Sequence, residues 1–180
     1  MSERAVMPSG AQAGAEGTID FARHLAGKYM TFKLAEEAYG LAILKVREII
    51  GFMEITRMPR TQEFIRGIIN LRGKIVPVVD LRLKFGMPPT EPSDQTVIIV
   101  VQYASRGRDV TMGILVDQVL EVLSIEAEQI EPPPSFGGDA LELDFLVGVG
   151  KTADRVIFLL DIGRVLSDSE AQDLVQAARS

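Results

Sequence analysis

A chain of 180 residues with 47% apolar side chains, 6% aromatic residues and no Trp can bury one aliphatic core, as a single domain or two small subdomains. The absence of Cys excludes disulfides, thiolate nucleophiles and thiolate metal sites, and fits a reducing cytoplasm. A net charge of −6 and a pI of about 4.9 oppose nucleic acid as a partner, and no apolar run approaches the roughly 20 residues that span a bilayer.

Residues 1–26 are rich in Ala, Gly, Ser and Glu and carry no sustained period. They read as a flexible tail with a short helix near Phe21–Leu25 and no apolar core of a secretory signal. The sole histidine, His24, lies there, away from the fixed neighbours that a catalytic or metal-binding imidazole needs.

From residue 27 to 166 the pattern is one of short strands. Lys28–Leu34 and Tyr39–Leu44 flank a turn at Glu36-Glu37, and Phe52–Thr56 is a third candidate. Thr61–Arg66 suits a single helical turn. Gly67–Leu71 and Lys74–Val79 form a hairpin about Arg72-Gly73. Thr96–Tyr103 is a nearly continuous apolar run, as in a strand buried on both faces. It turns at Ser105-Arg106-Gly107-Arg108 into Val110–Asp117, and Val119–Ile125 follows. Phe145–Gly150 and Arg155–Leu160 make the last pair. About ten short strands at this spacing indicate small barrels or a sandwich. Residues 167–180 then read as a helix: Ser167 and Glu170 match a capping box, and Ala171, Leu174, Val175 and Ala178 share one face.

The segments 67–85 and 145–166 echo one another, each a strand, a Gly-containing turn, an apolar strand, then Asp80 or Asp161 in an N-cap position. Related halves, or chance likeness among apolar strands, explain this equally well.

Several motifs fail on inspection. Gly150-Lys151-Thr152 ends like a phosphate-binding loop, but Phe145 stands where that loop needs Gly, and a strand pattern follows instead of a helix. The G-x-G-x-x-A match from Gly148 fails for the same reason. Glu126, Glu128 and Glu131 match no calcium-loop spacing, and Glu36-Glu37 sit in a wet turn. No G-x-S-x-G elbow occurs. No catalytic residue, cofactor site or metal site is expected.

The specific signal is the string FIRGIINLRGKIVPVVDLRLKFG from Phe64, preceded by YGLAILKVREIIG from Tyr39 and followed by TVIIV from Thr96 and GILVDQVLEVLSI from Gly113. In order and spacing these segments resemble the CheW family of chemotaxis adaptors, over roughly Tyr29 to Leu166. The resemblance implies a mostly β fold of two five-stranded SH3-like barrels sharing a hydrophobic core, here with a C-terminal helix. It implies a non-enzymatic adaptor that couples methyl-accepting chemotaxis receptors to the histidine kinase CheA, in the cytoplasm at receptor arrays beneath the inner membrane. The expected partners are the CheA regulatory domain and the cytoplasmic tip of a receptor, with ring assembly with CheA or with itself; neither nucleic acid nor direct membrane insertion is expected.

By the same resemblance, Glu48, Arg72, Val97 and Ile98 fall on the receptor-binding face. Val46, Gly67 and Phe136 fall on the kinase-binding side. From the residues alone, Arg72 reads first as a solvated turn arginine, Val46 and Ile49 are equally core, and Phe136 is either a plug or an anchor. Glu131 stands where some relatives carry a basic residue. Pro77, lacking a backbone donor, belongs on an edge strand or bulge. The other readings are a CheW-like adaptor of a non-flagellar chemosensory pathway, a CheW-like regulatory domain cut from a larger signalling protein, and a small enzyme. The starting Met, the tail and the capped helix favour a free-standing chain.

Overall fold

Alternation sets the first strand. Its Met30, Phe32 and Leu34 are buried on one face, and the chain reverses at once through a tight turn in which Ala35 has a left-handed φ of 55°. The computed structural model describes residues 20–133 and 144–179. In order these are a helix α1 (residues 20–25), β1 (Gly27–Leu34), β2 (Glu37–Ala42), a 3₁₀ turn (Ile43–Lys45), β3 (Val46–Gly51), β4 (Ile65–Leu71), β5 (Lys74–Asp80) and α2 (Leu81–Lys84). There follow β6 (Val97–Ser105), β7 (Arg108–Val116), β8 (Gln118–Ile125), a second 3₁₀ turn (Ala127–Gln129), β9 (Ile130–Glu131), β10 (Leu146–Lys151), β11 (Val156–Leu160), α3 (Ile162–Val165) and α4 (Asp168–Arg179).

The strands form two curled sheets, which make the two expected SH3-like barrels. One sheet runs β3-β6-β7-β5-β4, and the other runs β8-β1-β2-β11-β10-β9. The five-stranded barrel is therefore inserted into a barrel made from both ends of the described chain. The sixth strand of this terminal barrel, β9, is only two residues long. The insertion explains two departures from the sequence reading. The strand expected at Tyr39–Leu44 stops at Ala42, because the chain leaves the terminal barrel through the 3₁₀ turn and starts β3 on β6. The strand expected at Phe52–Thr56 is reduced to a single bridge from Thr56 to Ile68. The single turn expected at Thr61–Arg66 is present as one bond, Ile65 N–H to the Gln62 carbonyl at 3.0 Å, and goes no further because Ile65 already pairs with Val79. Residues 20–25, within the stretch read as a tail, are helical; Ala22 is buried, and Phe21 and Leu25 pack on the terminal barrel's own cluster.

The barrels share a core. Phe32, Leu41 and Leu160 of the terminal barrel meet Val79, Ile99 and Ile114 of the inserted one, with Ile162 and Leu174 closing the side. Burying each such side chain favours folding by about 1.5–3 kcal/mol before the entropic cost. Aromatic rings extend the junction, with Tyr39 5.8 Å from Phe85 and Phe85 stacked on Phe145 at 4.3 Å. Where β1 bulges against β8, the buried Thr31 hydroxyl donates to the Glu121 carbonyl at 2.6 Å and accepts its N–H at 3.0 Å.

The internal echo is structural. Asp80 N–H donates to Phe64 O and Asp161 N–H to Phe145 O; a bulge lies between Ile65 and Gly67 and again between Leu146 and Gly148. Asp80 caps α2 and Asp161 caps α3. Each second strand then pairs in parallel with a strand from elsewhere, Val78 opposite Gly113 and Leu159 opposite Gly40.

The expected capping box opens α4. Ser167 Oγ accepts the Glu170 N–H, and a Glu170 carboxylate oxygen accepts the Ser167 N–H at 2.7 Å. The same carboxylate holds Lys84 Nζ at 3.0 Å, and that ammonium lies over the Phe64 ring. Burial pushes the Glu170 carboxyl up, but these donors outweigh it and hold it below its ordinary value. Ala171 and Leu174 are buried as expected; the side chains of Val175 and Ala178 lie outside the described residues.

The return crossing between barrels rests on Asp117. Its carboxylate accepts the Ala35 N–H of the terminal barrel at 2.7 Å and Arg82 of the inserted barrel at 2.7 Å. Asp117→Ala is expected to lower the urea unfolding free energy by about 1–3 kcal/mol, the scale of stranding partly buried partners. An unchanged midpoint would mean that this link does not hold the crossing.

Candidate docking site

The inserted barrel is closed at a seam. Strands β3 and β4 are opposite edges of its sheet, yet the Thr56–Ile68 bridge joins the chain just after β3 to β4, with both backbone bonds at 2.8 Å. The seam depends on Gly67. It has a φ of 144°, and a Cβ there would stand 2.0 Å from the Thr56 carbonyl oxygen. Glycine is required because another backbone occupies the side-chain position.

At one end of the seam is the Arg72-Gly73 turn. It joins β4 to β5 in two residues, with φ of 54° and 86°. Positive φ at both positions is the mark of a type I′ hairpin, whose twist matches that of the strands. The turn carries Arg72 back to β3, where Glu48 sits beside a bulge. The two form a two-point ion pair: one guanidinium nitrogen lies 3.2 Å from a carboxylate oxygen, and the second nitrogen contacts the other oxygen. The Arg72 side chain is 69% exposed and Glu48 32%.

The hydrogen bond from Arg72 holds the Glu48 carboxyl below its ordinary range, and Glu48 in turn raises the guanidinium. A carboxyl depressed in the folded state keeps its pairing at neutral pH and loses it as pH falls through that lowered value. In water such a pair adds little to stability, so its consequence is orientation.

The other residues expected on the receptor side separate. Ile98 is 0% exposed, in the inserted barrel's own cluster opposite Ile50, so its side chain reaches no partner. That expectation is corrected by the pleat: Ile98 points inward, and its neighbour Val97 lies on the other face, half-buried against the shared core. Val46 is likewise half-buried on that core. Gly67 is buried beneath Thr56, so a substitution there acts first by forcing the seam open and not by bulk or charge at a surface. Phe136 lies outside the described residues.

Apart from Ile49, which it weighed as core, the sequence reading passed over the exposed apolar side chains of this barrel. Leu44 is 91% exposed in the crossing turn, and Ile49, Phe52 and Ile75 are exposed on or beside β3 and β5. The poor alternation of Val46 and Ile49 about Glu48 was the available signal. Glu131, in the terminal barrel, pairs with Lys151, the lysine of the rejected phosphate-loop motif, which here ends strand β10. Burial pushes the Tyr103 hydroxyl up to about 12, removing it from acid–base chemistry near neutral pH. No described helix is long and apolar enough to cross a membrane.

Two rigid barrels with exposed aliphatic rims and a fixed charge pair at a seam have the build of a docking scaffold. A family model of the CheW-like domain matches residues 28–170. The chain is 41% identical over 153 residues to the chemotaxis protein CheW of Klebsiella aerogenes, covering 85% of this chain and 89% of that protein. It is 30% identical over 149 residues to the chemotaxis protein CheW of Bacillus subtilis, covering 82% and 92%. The crystal structure of the scaffolding protein TtCheW from Thermoanaerobacter tengcongensis is similar with a TM-score of 0.65 at 42% identity, covering 76% of this chain and 90% of that one. The chain belongs to the CheW family, whose members are non-enzymatic scaffolds of chemotaxis.

Two outcomes follow from this geometry. Arg72→Ala should leave the melting curve nearly unchanged while the Glu48 carboxyl, followed by carbon NMR against pH, rises toward the ordinary carboxylate range; an unmoved Glu48 midpoint would contradict the pairing. Gly67→Ala should cost at least about 1–3 kcal/mol in thermal or urea unfolding, from positive φ and the Thr56 overlap. A wild-type melting curve for that variant would refute the seam.

Proposed function

We propose that this chain is the adaptor that joins the cytoplasmic tip of methyl-accepting chemotaxis receptors to the regulatory domain of the histidine kinase CheA. The observation that carries the reading is the Arg72–Glu48 pair, held in one geometry on an exposed seam of a CheW-family chain. Such a pair contributes orientation more than stability. A receptor tip is a helical bundle, and a bundle surface is recognised by a fixed polar anchor beside apolar contacts. Arg72 supplies the anchor, Glu48 fixes it, and Val97 lies on β6, which pairs with the strand that carries Glu48.

The kinase side is assigned to the rim around Val46 and the Thr56–Gly67 closure, with Gly67 acting by holding residues 56 and 57 in place. The exposed Ile49 and Phe52 lie between these points along the chain and supply apolar area. Phe136 is assigned to a second kinase contact. In this reading both partners bind together and form rings in which adaptor and kinase domains alternate, at arrays beneath the inner membrane. Each contact of standard size takes roughly 800 Å² per partner. Repetition in an array then supplies avidity that no single contact has.

Gel filtration of the full chain with a soluble receptor hairpin and the kinase regulatory domain should yield one ternary complex. Arg72→Ala should weaken receptor binding roughly 10-fold or more, the scale of one charge-assisted hydrogen bond, and leave kinase-domain binding unchanged. Failure to form the ternary complex, or equal loss of both partners in Arg72→Ala, would sink the reading.

A further inference from the structure

The Arg72-Gly73 turn asks a side chain for a conformation it does not favour. Type I′ loops draw on Asn, Asp and Gly at their first position, because an L-residue with positive φ brings its Cβ against the backbone. Arg72 nonetheless occupies that position with φ of 54°. Across the base of the loop, Asn70 Oδ1 accepts the Gly73 N–H at 2.8 Å. The main-chain bonds of a two-residue hairpin do not use that amide.

A second hairpin in the same barrel provides a comparison. Arg106-Gly107 joins β6 to β7 with φ of 52° and 77°, and Ala104 stands where Asn70 does in the first. Ala104 has no side-chain acceptor, and the turn forms without one. The hydrogen bond that Asn70 accepts is therefore not needed to make such a hairpin. It is present at the tip that carries the ion pair to Glu48, where direction matters.

We infer that Asn70 is a positioning residue for partner recognition: by fixing the Gly73 amide it holds Arg72 left-handed, so that the guanidinium is presented to the receptor already locked on Glu48. This rests on the reading of Arg72 as the receptor anchor. The physical reason lies in the direction of the Cα–Cβ bond. If φ of Arg72 relaxes to a negative value, that bond swings away and the two-point contact with Glu48 is lost. Binding then has to restore the order that the free protein already possesses, which weakens it.

The test is a double-mutant cycle on the full chain, with affinity for a soluble receptor hairpin and for the kinase regulatory domain measured by calorimetry. Asn70→Ala should weaken receptor binding about 3- to 10-fold, the scale of one hydrogen bond, with kinase-domain affinity and melting temperature unchanged. Asn70→Asp keeps an acceptor oxygen and should restore binding. In an Arg72→Ala background, Asn70→Ala should add no further loss, because its effect passes through Arg72. Additive losses in that background, equal loss of kinase binding, or wild-type receptor binding by Asn70→Ala when Arg72→Ala binds weakly would each overturn the inference. An Arg72→Ala variant with full receptor affinity would instead bring down the underlying receptor assignment, and the inference with it.

Discussion

The pairing of β2 with β11 is the constraint on which the molecule is built. These strands come from opposite ends of the described chain and lie in parallel, with Leu159 opposite Gly40. Everything from β3 to β7 is thereby enclosed as an inserted barrel. The glycine has a packing reason. A Cβ at Gly40 would come within 3.2 Å of Ile157 and 3.4 Å of Leu159, so the small residue lets a second strand lie close. Closure of the terminal barrel thus requires the inserted barrel to bring its two exits together. Asp117, held from both barrels at 2.7 Å, stands at one of those exits.

The two barrels follow one local rule and then diverge. In each, a Phe carbonyl accepts the N–H of a capping Asp, a bulge precedes a glycine, and a short helix follows the second strand. The divergence is at the glycine. A Cβ on Gly148 would meet the flexible end of Leu25 at 3.0 Å, whereas on Gly67 it would overlap the Thr56 backbone. A flexible side chain can move aside more cheaply than a backbone that closes a barrel. The inserted barrel is therefore the more tightly sealed at this position, and it is the barrel that carries the fixed ion pair.

In the proposed reading, a closed seam and an exposed charge pair serve recognition together. The pair alone would be a fluctuating surface contact of small energy. Mounted on a closed seam and a left-handed turn, it is inferred to be oriented before any partner arrives. Preorganisation of this kind lowers the entropy lost on binding, which suits an adaptor that must hold two partners at once with modest contacts to each.

Much of this was present in the chain itself. The alternating residue types of Lys28–Leu34, the two-residue turn at Arg72-Gly73, the apolar run from Thr96 and the Ser167–Glu170 cap are local patterns. They appear as strand, hairpin, central strand and helix start because each depends on neighbours a few residues away. The resemblance to the CheW family likewise lay in contiguous strings. Tertiary structure alone decided the rest. Ile98 faces the inserted barrel's own cluster and Val97 the core between the barrels, an assignment fixed by the sheet's position, which the run of apolar residues conceals. Residues 52–55 form no strand because the pairing with β6 is already made by Val46–Gly51. The need for glycine at Gly67 comes from Thr56, and the setting of Glu48 from Arg72, across a closure between strands that no local pattern records.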